Sequence, residues 1–294
     1  MKTPIFTGSA VALVTPFTES GVDYPKLEEI LEFHVKNHTD AIVVCGTTGE
    51  PSTMPDEEHK AVIRFVVEKI AKRIPVIAGT GSNDTAHAIE LSAFAEEVGA
   101  DGILVVAPYY NKTTQKGLYA HIEAIAKSVT LPIILYNIPG RTGGLGFSID
   151  TLKKLAQIPN VNAIKEATGD LAFAAQVAAE TDLVIYAGND DIIVPMMSLG
   201  GKGVISVVAN ILPQETHDIC ADFAAGNIEK SRENFLGMLD LIHALFIEVN
   251  PIPVKTAMNL MGFGMGKFRM PLCEMEDSNL AKLKATLQKH GLLN

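Results

Sequence analysis

Lys165 is the residue whose position in this chain most strongly indicates chemistry. It lies in the short, largely apolar run Val161–Ala167, which is otherwise built like a buried strand. A buried lysine loses the hydration of its ammonium group, so its pKa falls and the neutral amine becomes populated. A neutral amine attacks carbonyl carbons, and the sequence therefore predicts a Schiff-base enzyme. The alternative is a lysine at a strand end whose amine reaches water.

Eight short apolar segments could position this lysine. Most are apolar throughout, which is the pattern of a parallel sheet covered on both faces. The predicted strands are Ala10–Thr15, Ala41–Cys45, Pro75–Ala78, Gly102–Ala107, Pro132–Tyr136, Asn162–Lys165, Leu183–Ala187 and Gly203–Val208. Amphipathic helical segments alternate with them, among them Pro25–Asn37, Pro55–Lys72, Asp84–Val98, Gln115–Ser128 and Ser148–Gln157.

Regularly repeated βα units predict a (β/α)8 TIM barrel over residues 1–225. Residues 226–294 read as a C-terminal helical region that packs on the barrel, with helices over Glu229–Val249, Pro253–Met261 and Asp277–His290. A doubly wound sheet is the second possibility. It is disfavoured because no Gly-x-Gly-x-x-Gly follows the first strand.

Polar residues follow several of the predicted strands, at the barrel end where active sites form. Thr47 and Thr48 lie in a glycine-flanked turn whose hydroxyl and N–H groups suit a carboxylate. Tyr136 could move protons, and Arg141 could bind a second carboxylate with both guanidinium nitrogens. Individually, paired threonines are ordinary turn residues and an arginine is an ordinary surface charge. Their coincidence at one rim favours a substrate site.

The composition excludes several classes of function. The net charge is −10 and no basic stripe occurs, which argues against nucleic-acid binding. Three widely spaced cysteines predict neither a disulfide framework nor a zinc site. We find no signal peptide and no apolar run of the ~18 residues that a membrane span needs, so we expect a soluble cytoplasmic protein.

A metal cofactor is also disfavoured. Of the eight histidines, His34 and His38 have the i, i+4 spacing of metal ligands. They fall at the end of the first predicted helix, near the barrel face opposite the active site, and we expect them to be surface residues. We therefore predict no metal and no cofactor.

The motifs resemble those of the dihydrodipicolinate synthase family of pyruvate-dependent class I aldolases, over essentially the whole chain. The resemblance is carried by GTTGE at Gly46–Glu50, YNIPGRT at Tyr136–Thr142, KEATGD at Lys165–Asp170, GVISV at Gly203–Val207 and NPIPVK at Asn250–Lys255.

The resemblance implies catalytic roles for four residues. Lys165 matches the Schiff-base lysine that holds pyruvate, and Tyr136, Thr47 and Tyr110 match the proton-relay triad. In the family, the tyrosine at the Tyr110 position reaches the site of the neighbouring subunit. A homodimer would then be the minimal active unit, commonly paired into a tetramer.

The resemblance also implies substrate-binding roles. Thr48 matches the threonine that binds the pyruvate carboxylate, and Arg141 matches the arginine that receives the carboxylate of L-aspartate-4-semialdehyde. Gly188 and Ile205 match backbone groups that line the site. The implied reaction condenses pyruvate with this semialdehyde to give 4-hydroxy-tetrahydrodipicolinate, in the diaminopimelate and lysine pathway.

Two alternatives share the lysine and the tyrosine. An N-acetylneuraminate lyase or a keto-sugar-acid aldolase would cleave a sugar acid, but the stretches Pro139–Thr142 and Lys165–Asp170 favour the synthase. A regulatory or binding barrel without activity is the third reading. It is disfavoured because the whole set of catalytic residue types is present.

The lysine-binding regulatory cleft of the family is where this sequence departs from the pattern. His59, Asn83 and Tyr109 match residues of that cleft. However, serine, histidine and glutamate of the sensitive relatives are replaced by Pro51, Asp56 and His87. Loss of the glutamate removes a partner for the ammonium of the effector, so we predict weak or absent inhibition by lysine.

Overall fold

The computed structural model describes residues 2–293 of the chain. The strands are β1 Gly8–Ala12, β2 Phe17–Thr18, β3 Gly21–Val22, β4 Ala41–Val44, β5 Val76–Gly79, β6 Gly102–Val106, β7 Ile133–Asn137, β8 Val161–Glu166, β9 Val184–Ala187 and β10 Gly203–Ser206. The helices are α1 Tyr24–Lys36, α2 Asp56–Ile70, α3 Thr85–Glu97, α4 Gln115–Ser128, α5 Ile149–Ala156, α6 Leu171–Glu180, α7 Ile193–Ser198, α8 Pro213–Ala224, α9 Ile228–Gly237, α10 Leu239–Ala244, α11 Ile252–Leu260 and α12 Asp277–Lys289.

Within the described residues, eight parallel strands form a closed barrel in the order β1-β10-β9-β8-β7-β6-β5-β4. This confirms the predicted (β/α)8 barrel, and every predicted strand overlaps an observed one. The sequence analysis missed the antiparallel pair β2 and β3, since two-residue strands carry no period that a sequence pattern could reveal.

Two apolar layers explain why most of the strands carry apolar residues at successive positions. Alternate side chains point into the barrel, where Ala163 of β8 and Ile134 of β7 belong to a small inner cluster. Their neighbours, such as Ile164 and Leu135, face the surrounding helices and join a larger outer cluster. Tyr186 and Phe6 stack inside the barrel with ring centroids 4.2 Å apart and planes inclined by 7°.

Helix caps fix where several of the surrounding helices begin. The carboxylate of Asp23 accepts from the N–H of Lys26 at 3.0 Å at the start of α1. Asp84 caps α3 in the same way through the N–H of Ala86 at 2.9 Å. These caps fix where helices α1 and α3 begin, and so limit the length of the loops that precede them.

The C-terminal region is helical, as predicted, but its first helix is divided. Instead of one helix over Glu229–Val249, the chain forms α9 and α10 with a break at Met238. The region is tied to the barrel helices by Ser231, whose hydroxyl donates to the carbonyl of Ile219 at 2.7 Å. No helix of the described residues has the length and apolarity that a membrane crossing would require.

Candidate active site

Lys165 and Tyr136 are neighbours across two parallel strands. Tyr136 of β7 is in register with Lys165 of β8, and both side chains point to the barrel interior. The Nζ atom of Lys165 lies 4.4 Å from the centroid of the Tyr136 ring. The two residues that the sequence singled out are therefore in contact, near the carboxyl ends of their strands.

Burial makes the Lys165 amine reactive. The residue is 5% exposed, and loss of hydration lowers its pKa to about 8. The negative charge of Asp190 opposes this change, and the positive charge of Arg141 adds to it. A substantial fraction of the amine is neutral in mildly alkaline solution, as a nucleophile for a carbonyl carbon requires.

Asp190 is a functional candidate to which the sequence analysis gave no role. It follows β9 and is 2% exposed. One carboxylate oxygen accepts from the N–H groups of Val207 at 2.9 Å and Val208 at 3.0 Å, which fixes the turn after β10. Among the described residues, the other oxygen has no hydrogen-bond partner. Burial raises the pKa of this carboxyl, while the hydroxyl of Ser206, these N–H groups and Lys165 act in the opposite direction.

Thr47 and Thr48 lie on a short 3-10 turn, Thr47–Gly49, that follows β4. The side chain of Thr47 lies close enough to the Tyr136 phenol to influence its pKa. Burial raises the pKa of the Tyr136 phenol, and the charge of Arg141 and the side chain of Thr47 counteract the rise. The hydroxyl of Thr48 accepts from Nδ2 of Asn250 at 3.0 Å.

Arg141 lies at the mouth of the site, on the loop after β7. Its side chain is exposed, and Nη2 donates to the carbonyl of Asn250 at 2.8 Å. It borders a cavity of about 460 Å³ that extends from Thr47 and Tyr136 towards His59. The guanidinium is therefore accessible to an anionic group that enters this cavity.

Gly188 and Ile205 lie at the ends of β9 and β10. A Cβ atom at Gly188 would come within 2.6 Å of the Cβ of Ala167, so a side chain there would displace the residues after Lys165. Ile205 is 1% exposed and belongs to the inner cluster of the barrel.

Tyr110 stands apart from the other predicted catalytic residues. It is 92% exposed and adopts a left-handed backbone conformation with a φ of 66°. Such a conformation is unfavourable for a bulky residue. Within the single chain, its ring does not join the contacts around Lys165, and the role implied by the family resemblance needs a second subunit.

The predicted regulatory residues are only partly brought together. His59 and Tyr109 line the cavity described above, whereas Asn83 is not part of its lining. The backbone carbonyl of Asn83 accepts from Nδ2 of Asn111 at 3.0 Å. The Nε2 atom of His87 lies 3.1 Å from a carboxylate oxygen of Asp56.

A second set of residues supports the site and was missed by the sequence analysis. Asn137 follows Tyr136, and its Nδ2 donates to Glu166 at 2.7 Å. Another oxygen of Glu166 accepts from the N–H of Thr168 at 2.7 Å. Burial raises the pKa of this carboxyl. These bonds join the carboxyl ends of β7 and β8 and the residues that follow β8. The signal available in the sequence was polar residues directly beside Tyr136 and Lys165.

The expectation that His34 is a surface residue is wrong. His34 is fully buried, and its Nδ1 atom lies 2.9 Å from the hydroxyl of Thr39. Burial lowers its pKa to about 3 because the imidazolium would lose its hydration. Among residues 2–293, no group of three histidine, cysteine or acidic side chains could hold a metal ion.

Comparison with known proteins decides the family. The model of the dihydrodipicolinate synthetase family matches residues 5–290. The chain belongs to this family.

Members of this family are similar to the chain over its full length. A 4-hydroxy-tetrahydrodipicolinate synthase of Acetivibrio thermocellus is 59% identical over 293 residues, with 100% of both chains covered. One of Clostridium perfringens is 59% identical over 291 residues, which cover 98% of this chain and 100% of the relative. The crystal structure of dihydrodipicolinate synthase from Aquifex aeolicus has a TM-score of 0.96 and 49% identity, covering 98% of this chain and 99% of that one.

Proposed function

We propose that this chain is a 4-hydroxy-tetrahydrodipicolinate synthase, a lyase that condenses pyruvate with L-aspartate-4-semialdehyde. The buried amine of Lys165, held against Tyr136 with its pKa lowered to about 8, is the observation that carries the proposal. The full-length relatives at 59% identity that bear this name support it.

Lys165 forms the covalent intermediate. Its neutral amine adds to the C2 carbonyl of pyruvate, and loss of water gives an imine whose nitrogen is protonated. A proton then leaves the methyl carbon to give an enamine, which attacks the aldehyde carbon of the second substrate. The amine of that substrate adds to the imine carbon and displaces Lys165, so the lysine is regenerated and the product is a ring.

Tyr136 and Thr47 move protons during these steps, since the Tyr136 ring lies beside the amine and the Thr47 side chain influences the pKa of the Tyr136 phenol. The partner subunit's Tyr110 completes the relay in a homodimer, and two dimers can pair into a tetramer. The exposure of this ring at 92% supports a role between subunits.

Thr48 and Arg141 hold the two carboxylates. The buried Thr47–Gly49 turn offers a hydroxyl and N–H groups to pyruvate. Arg141 at the cavity mouth binds the carboxylate of the semialdehyde. Backbone groups of Gly188 and Ile205 line the pyruvate site. We further propose that the enzyme works in the cytoplasm without a cofactor, and its three unpaired cysteines suit a reducing compartment.

Reductive trapping tests this function. The protein is incubated with pyruvate and borohydride, and the adduct is located by intact mass and peptide mapping. We expect one adduct per chain, on Lys165. Lys255 is also buried and serves as an internal control that should stay unmodified. Absence of an adduct would favour the alternative of a regulatory or binding barrel without activity. An adduct on another residue would contradict the mechanism.

A turnover assay then separates the synthase from the sugar-acid aldolases. We expect consumption of pyruvate only with L-aspartate-4-semialdehyde, and negligible cleavage of N-acetylneuraminate. Faster cleavage of the sugar acid would overturn the assignment while leaving the Schiff-base lysine in place.

A further inference from the structure

Glu50 and Lys255 form an ion pair in the interior, where their side chains are 1% and 0% exposed. The Nζ atom of Lys255 lies 2.8 Å from Oε1 of Glu50, although the residues are 205 positions apart. Replacing a buried ion pair by apolar residues is often neutral or stabilising, so such a pair is weak evidence for stability. The position of the Glu50–Lys255 pair beside the threonine turn, Thr47–Gly49, points instead to a functional role.

Glu50 is the residue that ends the Thr47–Gly49 turn. Its backbone is left-handed, with φ 57° and ψ 39°, a conformation that side-chain-bearing residues seldom adopt. Its N–H donates to the carbonyl of Thr47 at 3.2 Å. Any change in the backbone of Glu50 therefore moves the threonine turn directly.

Lys255 fixes the Glu50 side chain from the C-terminal region. Its ammonium lies 4.3 Å from the centroid of the Phe17 ring, which limits where it can move. The second carboxylate oxygen of Glu50 accepts from the N–H of Arg269 at 3.3 Å. Both carboxylate oxygens are thus held by residues that follow the barrel in sequence.

A second contact ties the same helix to the turn. Asn250 lies just before α11, which carries Lys255, and donates to the hydroxyl of Thr48 at 3.0 Å. Helix α11 thus contacts the threonine turn at its end, through Glu50, and the residue just before the helix contacts its middle, through Thr48.

We propose that Lys255 is a positioning residue for the pyruvate-binding turn: it anchors Glu50 so that Thr47 and Thr48 face Lys165. This inference rests on the proposed function. It assigns the C-terminal helices a part in catalysis, since removing their lysine would loosen the threonine turn that Glu50 ends.

Lys255→Met tests the inference because it keeps most of the length of the side chain and removes the charge. We expect kcat/KM for pyruvate to fall by about 10- to 100-fold, which is the usual cost of misplacing a binding group. The rise in KM for pyruvate should exceed the fall in kcat, and half-saturation of borohydride trapping should rise in parallel. A kcat/KM within twofold of the unmodified protein, in a folded variant, would overturn the proposal.

Two controls separate positioning from stability. Leu283→Ala creates a cavity at a fully buried position of α12, in the same C-terminal region. It should lower the melting temperature but leave KM for pyruvate unchanged at temperatures where it is folded. Glu50→Gln combined with Lys255→Met removes both charges, and we expect it to regain thermal stability relative to Lys255→Met while KM for pyruvate stays raised. Recovery of both would mean that the pair is only structural.

Glu50→Gln alone decides the question if Lys255→Met does not fold. It keeps the shape of the side chain, and we expect a smaller rise of the same kind in KM for pyruvate. An unchanged KM in that variant would overturn the inference. Failure of the unmodified protein to trap pyruvate would instead reject the proposed function, and the two failures are thus distinguishable.

Discussion

The ammonium nitrogen of Lys165 lies 4.4 Å from the centroid of the Tyr136 ring, and the two residues are paired in register on adjacent strands. Strand pairing sets this relationship, so it does not depend on a mobile loop. Burying an amine against an aromatic ring lowers the stability of the folded protein but makes the neutral, nucleophilic amine accessible.

The first prediction concerns the stability cost of the lysine. Lys165→Met should raise the free energy of unfolding at pH 7 by about 1–3 kcal/mol, because a buried amine with a lowered pKa disfavours folding. The gain should be largest below pH 8, where the lysine is protonated in both the folded and the unfolded protein. It should fade as the pH rises towards 10.5, the ordinary pKa of lysine. Urea titrations at several pH values measure it, and a less stable variant at pH 7 would contradict the burial argument.

The second prediction concerns the pH dependence of imine formation. Asp190→Asn removes a negative charge that raises the pKa of Lys165, so the rise of trapping rate with pH should move to lower pH. Arg141→Met removes a positive charge that lowers this pKa, so the profile should move to higher pH. The opposite directions are the decisive feature. Shifts in the same direction would point to a general disturbance of the site.

The third prediction concerns the exposed Tyr110. Lys165→Ala and Tyr110→Phe should each be nearly inactive alone. When the two inactive variants are unfolded and refolded together, mixed dimers should contain one intact site, giving about one quarter of the unmodified activity. Each variant refolded alone is the control. No recovery in dimers shown to be mixed would mean that the ring acts within its own chain or not at all.

The fourth prediction concerns regulation by lysine. We expect weak or absent inhibition because His87 and Asp56, 3.1 Å apart, occupy places where sensitive relatives carry glutamate and histidine. Paired replacement by His87→Glu and Asp56→His should increase sensitivity to lysine. Initial rates over a range of lysine concentrations measure this. Micromolar inhibition of the unmodified protein would refute the expectation.

Local pattern was sufficient to predict the barrel and to bring Lys165 and Tyr136 together at one rim. Apolar strands that alternate with amphipathic helices have few alternatives to a covered parallel sheet. Once the strands are located, Lys165, Tyr136 and Thr47 must lie at the same rim. The division into a barrel and a helical region at residue 225 stays a prediction, as do the role of Tyr110 and the oligomeric state.

Long-range contacts could not be predicted in this way. The sequence by itself determined that Lys165 shares a strand with apolar residues such as Ala163 and Ile164, because these properties reside in consecutive residues. Only the tertiary structure decided that Glu50 meets Lys255, that Asp190 lies close enough to influence Lys165, and that His34 is buried. These outcomes depend on distant segments packing together. Neither segment alone determines which charge or apolar surface it will meet.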